Sequence, residues 1–410
     1  MRKSEQLGGF ARRDVLRAGL FGLGGGIAGF AAGPVHAADA SRKADVGSRI
    51  LVVVELSGAN DGLNTIVPYT NDDYHRARPK LGLKPDKLRK LDEAYGVPLG
   101  MAGFERLYKD GNAAIVHGVG YENPSFSHFT SMAYWHTGAP NAGDAYGWLG
   151  RLADGLDPRG GDSYIVDVEA RQSLAVRARN HVPLTFYEPD RFSRDASFEE
   201  LAALGKIGAP RTPRNGAEAF LFDVATSARR AETHVREACS TYRTPIDYGL
   251  VKFGLERVAA LIAADFPTRI YYVSYPRNAF DTHVNQADTH GRLLTYVSDH
   301  ISAFLKDMGR LGRGKDVAVM AFSEFGRRVG ENANLGTDHG TAGVSFVMGQ
   351  GVRGGHYGAL PSLTDLDDGN MRHTTDFRRV YATMASEWMG CQDIAAVVKG
   401  EFEQLGVFGG

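Results

Sequence analysis

The sequence predicts an α/β layered fold with a mainly parallel sheet, on three observations. Short apolar runs alternate with segments of helical period, as strands joined by crossover helices do. The run from Arg49 to Leu56 (RILVVVEL) is apolar almost throughout, as a central parallel strand covered on both faces requires. Four such runs end in polar residues, and a parallel sheet brings those carboxyl ends to one edge, where α/β proteins hold their ligands.

The 410 residues are too many for one small core, so one large α/β domain over 49–410 is expected, with 139–265 read as an inserted cap or helical layer. Net charge is −1, without the basic excess of a nucleic-acid partner. Two cysteines, Cys239 and Cys391, form no staple framework and leave their pairing open.

The N-terminus reads as an address. Arg12 and Arg13 precede an apolar, glycine-rich segment from Ala18 to Gly33, and Val35-His36-Ala37 offers small residues at a cleavage point. The twin arginine resembles a bacterial Tat signal. Roughly 16 apolar residues are short for a membrane span. Residues 1–37 are therefore expected to be a cleaved signal read by the Tat export machinery, with 38–48 a flexible lead-in. The mature protein is expected to be periplasmic or secreted, with no stable membrane span after processing.

Along the mature chain, helices are expected from Met101 to Lys109, His128 to His136, Phe198 to Leu204, through much of Gly216 to Ala264, and from Gln286 to Leu311. Strands are expected from Ala113 to His117, Ser163 to Val168, His181 to Phe186, Arg269 to Ser274, Val317 to Phe322 and Val344 to Met348. Gly354 to Gly358 reads as a glycine-rich turn, and Asp376 to Trp388 as an amphipathic helix capped by Thr374 or Thr375.

The strand ends carry the chemistry. Asp61 lies past the first strand, in an Asn-Asp-Gly that also suits a plain turn. Ser127 sits at a helix N-cap, where it either caps or acts as a nucleophile over N–H groups that favour an anion. Asp281 and His283 follow the third strand, and Asp338 and His339 close the glycine-rich loop after Val317 to Phe322. Carboxylates with imidazoles suit a divalent metal: Zn or Mn, or Mg and Ca where oxygens dominate. Two ions about 4 Å apart would clamp a phosphoryl or sulfuryl group, and a metal would activate the serine. Arg327 reads either as a fork for anionic oxygens or as an exposed charge.

Leu56-Ser57-Gly58-Ala59-Asn60-Asp61-Gly62-Leu63-Asn64-Thr65-Ile66-Val67-Pro68-Tyr69, Ser127-His128-Phe129, Phe280 to Gln286, Ser323-Glu324-Phe325-Gly326-Arg327, Thr337-Asp338-His339-Gly340 and Asp376 to Ala382 run in order over most of the mature chain. They resemble the bacterial domain-of-unknown-function 1501 family, many of whose members carry a Tat-like signal. That family looks like a branch of the alkaline phosphatase and sulfatase superfamily. The resemblance implies a three-layer α/β/α sandwich and one or two divalent metals. Asp61 would be the metal aspartate after the first strand, Ser127 the nucleophile, Asp338 and His339 the Asp-His metal pair, and Asp281 and His283 the other metal's ligands. His356 lies where the last histidine ligand would be sought. His128 beside Ser127 is a further candidate, as is Glu324, which stands at the strand end where a ligand would be expected. Two departures stand out: only Thr282 separates Asp281 from His283, and the loop from Ser323 to Gly336 intervenes before the Asp-His pair.

The expected function is an exported metal-dependent hydrolase of phosphate or sulfate esters, on an anionic small molecule or polymer. The alternative is a non-catalytic envelope binding or assembly protein with a degenerate site. Carbohydrate handling through 139–265 is a third reading.

Overall fold

Nine strands form one sheet in a computed structural model that describes residues 46–189, 231–275 and 278–409. In chain order they are β1 (Ile50–Leu56), β2 (Ala113–Gly120), β3 (Ile165–Val168), β4 (Leu184–Thr185), β5 (Ile270–Tyr275), β6 (Val317–Phe322), β7 (Gly343–Met348), β8 (Gly355–Tyr357) and β9 (Thr375–Asp376). Their spatial order is β8-β2-β7-β6-β1-β5-β3-β4, with β9 also on β2. β1 is central, in parallel register with both neighbours: Val54 faces Val273 on one side and Ala321 on the other. Every pairing in this sheet is parallel except those of β7, which runs antiparallel to both β6 and β2.

The unbroken apolar strands follow from cover on both faces. Val52, Val54, Tyr271, Val273, Val319 and Ala321 lie in one core, which includes residues of α2 (Ala102–Lys109), α5 (Leu255–Ala263) and α6 (Gln286–Arg310). The alternate residues Leu51, Val53, Ile270, Tyr272, Ala318 and Met320 lie in the other. There they join α3 (His128–Thr137), α4 (Trp148–Leu156) and α7 (Phe377–Thr383), the last continuing as a π-helical turn, Met384–Trp388. Each fully buried Val, Leu or Ile contributes about 1.5–3 kcal/mol, so a polar substitution in β1 would weaken whichever layer that residue faces. Cys239 packs against the first core, and Cys391, in the second, is a free thiol.

Several expectations are corrected here. The 139–265 region is not wholly a cap, because β3 and β4 extend the central sheet by parallel pairing. Within it, Tyr242, Thr244 and Tyr248 are tied to α6 by hydroxyl bonds of 2.6, 2.9 and 3.0 Å to the buried Asp307 carboxylate. Gly355–Tyr357 is a strand beside β2 rather than a turn, since its backbone finds pairing partners there. Asp376, not a threonine, caps α7 through Arg378 N–H. The signal segment 1–37, most of the lead-in and the helix expected at Phe198 to Leu204 lie outside the described residues. Among the described residues, no helix is long and apolar enough to cross a membrane.

Two strand-end loops press together at the carboxyl edge. Ser57 Oγ donates to Asn278 Oδ1 at 2.8 Å, and Phe280 N–H donates to the Ser57 carbonyl at 3.1 Å. Gly58, at φ +111°, makes the approach possible: a Cβ there would lie 2.6 Å from both the Asn278 oxygen and the Asp281 nitrogen. Gly58→Ala should therefore lower stability by about 2–4 kcal/mol through backbone strain and overpacking. A urea unfolding series compared with the unchanged chain measures this.

Candidate metal centre

The loops past β1, β2, β5 and β6 meet at this edge, as parallel strands dictate. Asp338 and His339 do not follow a strand: they precede β7, whose reversed direction puts its starting end there as well. The long loop from Ser323 to Gly336 is also closed on itself, by antiparallel pairing of His339–Gly340 with Gly326–Arg327.

Asp281 is the centre of the group. Its Oδ1 lies 3.0 Å from His283 Nε2, 3.2 Å from His339 Nε2 and 2.8 Å from Arg327 Nη2. Its Oδ2 lies 3.3 Å from His128 Nε2. Ligand-type atoms of His128, Asp281 and His339 all fall within 4.8 Å of one another. His283 Nε2 is 2.9 Å from His339 Nε2.

Each of the three imidazoles has an oxygen at its other nitrogen. His128 Nδ1 meets Glu324 Oε1 at 2.7 Å, His339 Nδ1 meets the Phe126 carbonyl at 2.9 Å, and His283 Nδ1 meets Asp338 Oδ1 at 3.3 Å. Carboxylates and carbonyls only accept, and Asp281 Oδ1 also faces Nε2 of His283 and of His339, so those two rings lie between acceptors at both edges. Only His128 Nε2 is without a hydrogen-bond partner, and with that ring neutral its Nδ1 carries the proton and its Nε2 presents a lone pair. This is how metal-binding histidines are held. Two bare nitrogens 2.9 Å apart repel unless a proton or cation lies between them. His128 Nε2 is buried and, despite its 3.3 Å separation from Asp281, has no hydrogen-bonding geometry there. Donors about 2.1 Å from one ion would stand roughly 3.0–3.4 Å apart, close to the separations found.

The electrostatics agree with a carboxylate kept ionised. Burial pushes the Asp281 pKa up, but the Arg327 guanidinium outweighs it and holds the group below the usual carboxylate range. The Glu324 hydrogen bond raises His128, while burial lowers His339. Asn332 and then His283 hold Asp338 below its ordinary value.

Other candidates stand apart. Asp61 is buried, caps α1 (Gly62–Thr65) through Leu63 and Asn64 N–H, pairs with Arg78 at 2.6 Å and accepts from Gln286. Those bonds occupy both of its oxygens. Ser127 is exposed and caps α3, accepting from Thr130 N–H at 3.4 Å. Glu324 is wholly buried, and its oxygens are held by Gly58 and Ala59 N–H, Ser323 Oγ and His128. Arg327 is neither a surface charge nor a free anion fork: it is 1% exposed and donates to the carbonyls of Gly58, Ala59, Phe280 and Thr337 as well as to Asp281. His356 is engaged elsewhere, between Asp92 and His117. The Arg78 partner of Asp61 and the Phe126 carbonyl escaped the sequence reading. No motif marks Arg78, and a backbone carbonyl leaves no residue signature.

A family model described as "Protein of unknown function (DUF1501)" matches residues 111–388. Comparison with curated proteins gives no match. Among solved structures, the C-terminal periplasmic domain of EcEptC from Escherichia coli, in complex with Zn, is similar at a TM-score of 0.32 and 11% identity, covering 74% of this chain and 73% of that one. Ps i-CgsB in complex with k-i-k-neocarrahexaose gives 0.35 and 9%, covering 87% and 73%. The phosphonate monoester hydrolase SpPMH from Silicibacter pomeroyi gives 0.36 and 11%, covering 86% and 75%.

Asp61 offers a pH test. Burial opposes its ionisation, but Arg78 and then His290 hold its pKa below the usual value. Its stabilisation is thus fully present above the unfolded value of about 3.9 and is lost as pH falls through the lower folded value. Asp61→Asn would leave Arg78 buried without its partner, at a cost of roughly 3–5 kcal/mol. Urea midpoints from pH 3 to 7 should fall at neutral pH and vary less steeply on the acid side.

Proposed function

We propose a function for a chain that belongs to the domain-of-unknown-function 1501 family: exported, metal-dependent hydrolysis of phosphate or sulfate esters. One observation carries the reading. Three imidazole Nε2 atoms converge on an aspartate held below its ordinary pKa by Arg327, and each ring meets an oxygen at its Nδ1. His128, Asp281 and His339 would hold the ion, with His283 as the adjoining donor. Such a nitrogen-rich set suits Zn or Mn over Mg or Ca. With Asp61 occupied by Arg78, a single ion fits better than two. When bound, the ion would supply Lewis acidity toward an ester oxygen.

The chain's own groups would do the rest. Glu324 and the Phe126 carbonyl keep His128 and His339 in the ligating tautomer. Arg327 braces Asp281 and partly neutralises it, leaving the site able to accept a further anion. The first turn of α3 offers N–H groups without intrahelical partners, to which a sulfate or phosphate oxygen can bind. Ser127, exposed at that turn, is the proposed nucleophile.

The alternative, an envelope binding or assembly protein with a degenerate site, draws on Arg327: its cation already lies 2.8 Å from Asp281 Oδ1, where a metal would compete with it. Two measurements separate the readings. Purified mature protein loaded with Zn or Mn should retain about one ion by elemental analysis and turn over 4-nitrophenyl phosphate or sulfate. Ser127→Ala should abolish turnover with metal retained, whereas a mere cap would cost only about 1 kcal/mol of stability. No retained ion and no turnover would sink the hydrolase reading.

Glu324→Gln should weaken metal binding by about 10- to 100-fold, as loss of an orienting carboxylate does. Competition with a chromogenic chelator measures this.

A further inference from the structure

A second group of titratable side chains lies away from the metal centre, against a cleft. Asp92, His356 and His117 form a row: Asp92 Oδ2 to His356 Nε2 is 2.8 Å, and His356 Nδ1 to His117 Nε2 is 2.6 Å. The two rings stack with centroids 4.9 Å apart, and Tyr95 packs on both.

The row has a direction. Asp92 also accepts from Ala94 and Tyr95 N–H and from Tyr108 hydroxyl. Burial raises its pKa, but these N–H groups and His356 outweigh it, so it is an acceptor only. With both rings neutral, one assignment remains. His356 Nε2–H donates to Asp92, His117 Nε2–H donates to His356 Nδ1, and His117 Nδ1 is left with a bare lone pair. Burial, and then His356, push the His117 pKa down to about 3, so the ring stays neutral at ordinary pH. Among the described residues, no donor reaches that nitrogen.

His117 lines a cleft of about 130 Å³, together with Leu63, Ile66, Val344 and Leu363 and with Asn71 and Tyr95. Leu360, half-exposed, also lines it. That is room for one aromatic ring, since an apolar cavity of about 150 Å³ holds benzene, and the exposed side beside Leu360 leaves space for a second. The walls are mainly apolar, with few polar groups among them.

We propose that this cleft binds an apolar alcohol or phenol of one or two rings, whose hydroxyl donates to His117 Nδ1. The wall supplies affinity, and His117 supplies selection for a donor. Because His356 and Asp92 hold the other edge of the ring, the acceptor is fixed before the ligand arrives. The site is independent of the metal centre and shares no residue with it.

The test is a fluorescence titration of the full chain at pH 8 with 2-naphthol and with 2-methoxynaphthalene, which lacks the donor. The hydroxyl compound should bind about tenfold more tightly, the worth of one well-placed hydrogen bond. His117→Phe should bring the two affinities to within about threefold of each other. Leu363→Trp, which fills the cleft and leaves the row intact, should abolish binding of both. Equal affinities on the unchanged chain, no binding of either compound, or naphthol binding that survives Leu363→Trp would each overturn the proposal.

Discussion

The carboxyl edge depends on one buried carboxylate. Glu324 has no solvent contact, and an ionised group in such a place survives only when donors surround it. The donors come from three parts of the chain: Gly58 and Ala59 N–H past β1, Ser323 Oγ at the end of β6, and His128 at the start of α3. None can shift without leaving a charge exposed to a low-dielectric interior. Arg327 grips the same loop from its carbonyl side, through the Gly58 and Ala59 oxygens, and reaches on to Asp281. The loop past β1 is thus held between an anion that takes its N–H groups and a cation that takes its carbonyls. The positions of His128 and Asp281 follow from that arrangement.

Much of the scaffold was legible because its causes are local. Apolar runs flanked by turn residues mark β1, β5 and β6, and a long 3.6-residue period marks α6. Once the sheet is taken as parallel, Asp281 and His283 fall at its carboxyl edge without further information. The direction of β7 was not legible. An apolar run of six residues reads alike in either sense, and only its hydrogen-bonding partners fix the choice. That one reversal explains why Asp338 and His339 approach the edge from before a strand instead of after one.

Asp61 and Asp281 show where residue identity stops informing. Both follow parallel strands that pair directly with each other. Asp61 meets Arg78 and Gln286 and is sealed by them, whereas Asp281 meets imidazoles and is 30% exposed in its side chain. The difference lies in which distant side chain arrives. Arg78 is brought in by a bond from its Nε to the Val329 carbonyl, 251 residues on. No local pattern encodes such a contact.

The two histidine groups then make opposite use of one chemistry. In the row on β2 and β8, each ring nitrogen that accepts meets one that donates, so the chain satisfies itself and leaves one lone pair at its end. At the carboxyl edge the Nδ1 atoms all point outward, to Glu324, Asp338 and the Phe126 carbonyl, and the Nε2 atoms point inward, toward Asp281. A serial arrangement is stable as it stands. A convergent one brings ring nitrogens within reach of one another and of a carboxylate, and needs protons or a cation among them. Arg327 supplies part of that charge from one side, but its Nη1 comes no nearer to His283 Nε2 than 3.5 Å, and its other donors are committed to backbone carbonyls and Asp281. The remaining demand falls on a proton or a metal ion. Because each ring is held at its Nδ1 by an oxygen, either one between the Nε2 atoms would leave those outer bonds in place while competing with Arg327 for Asp281.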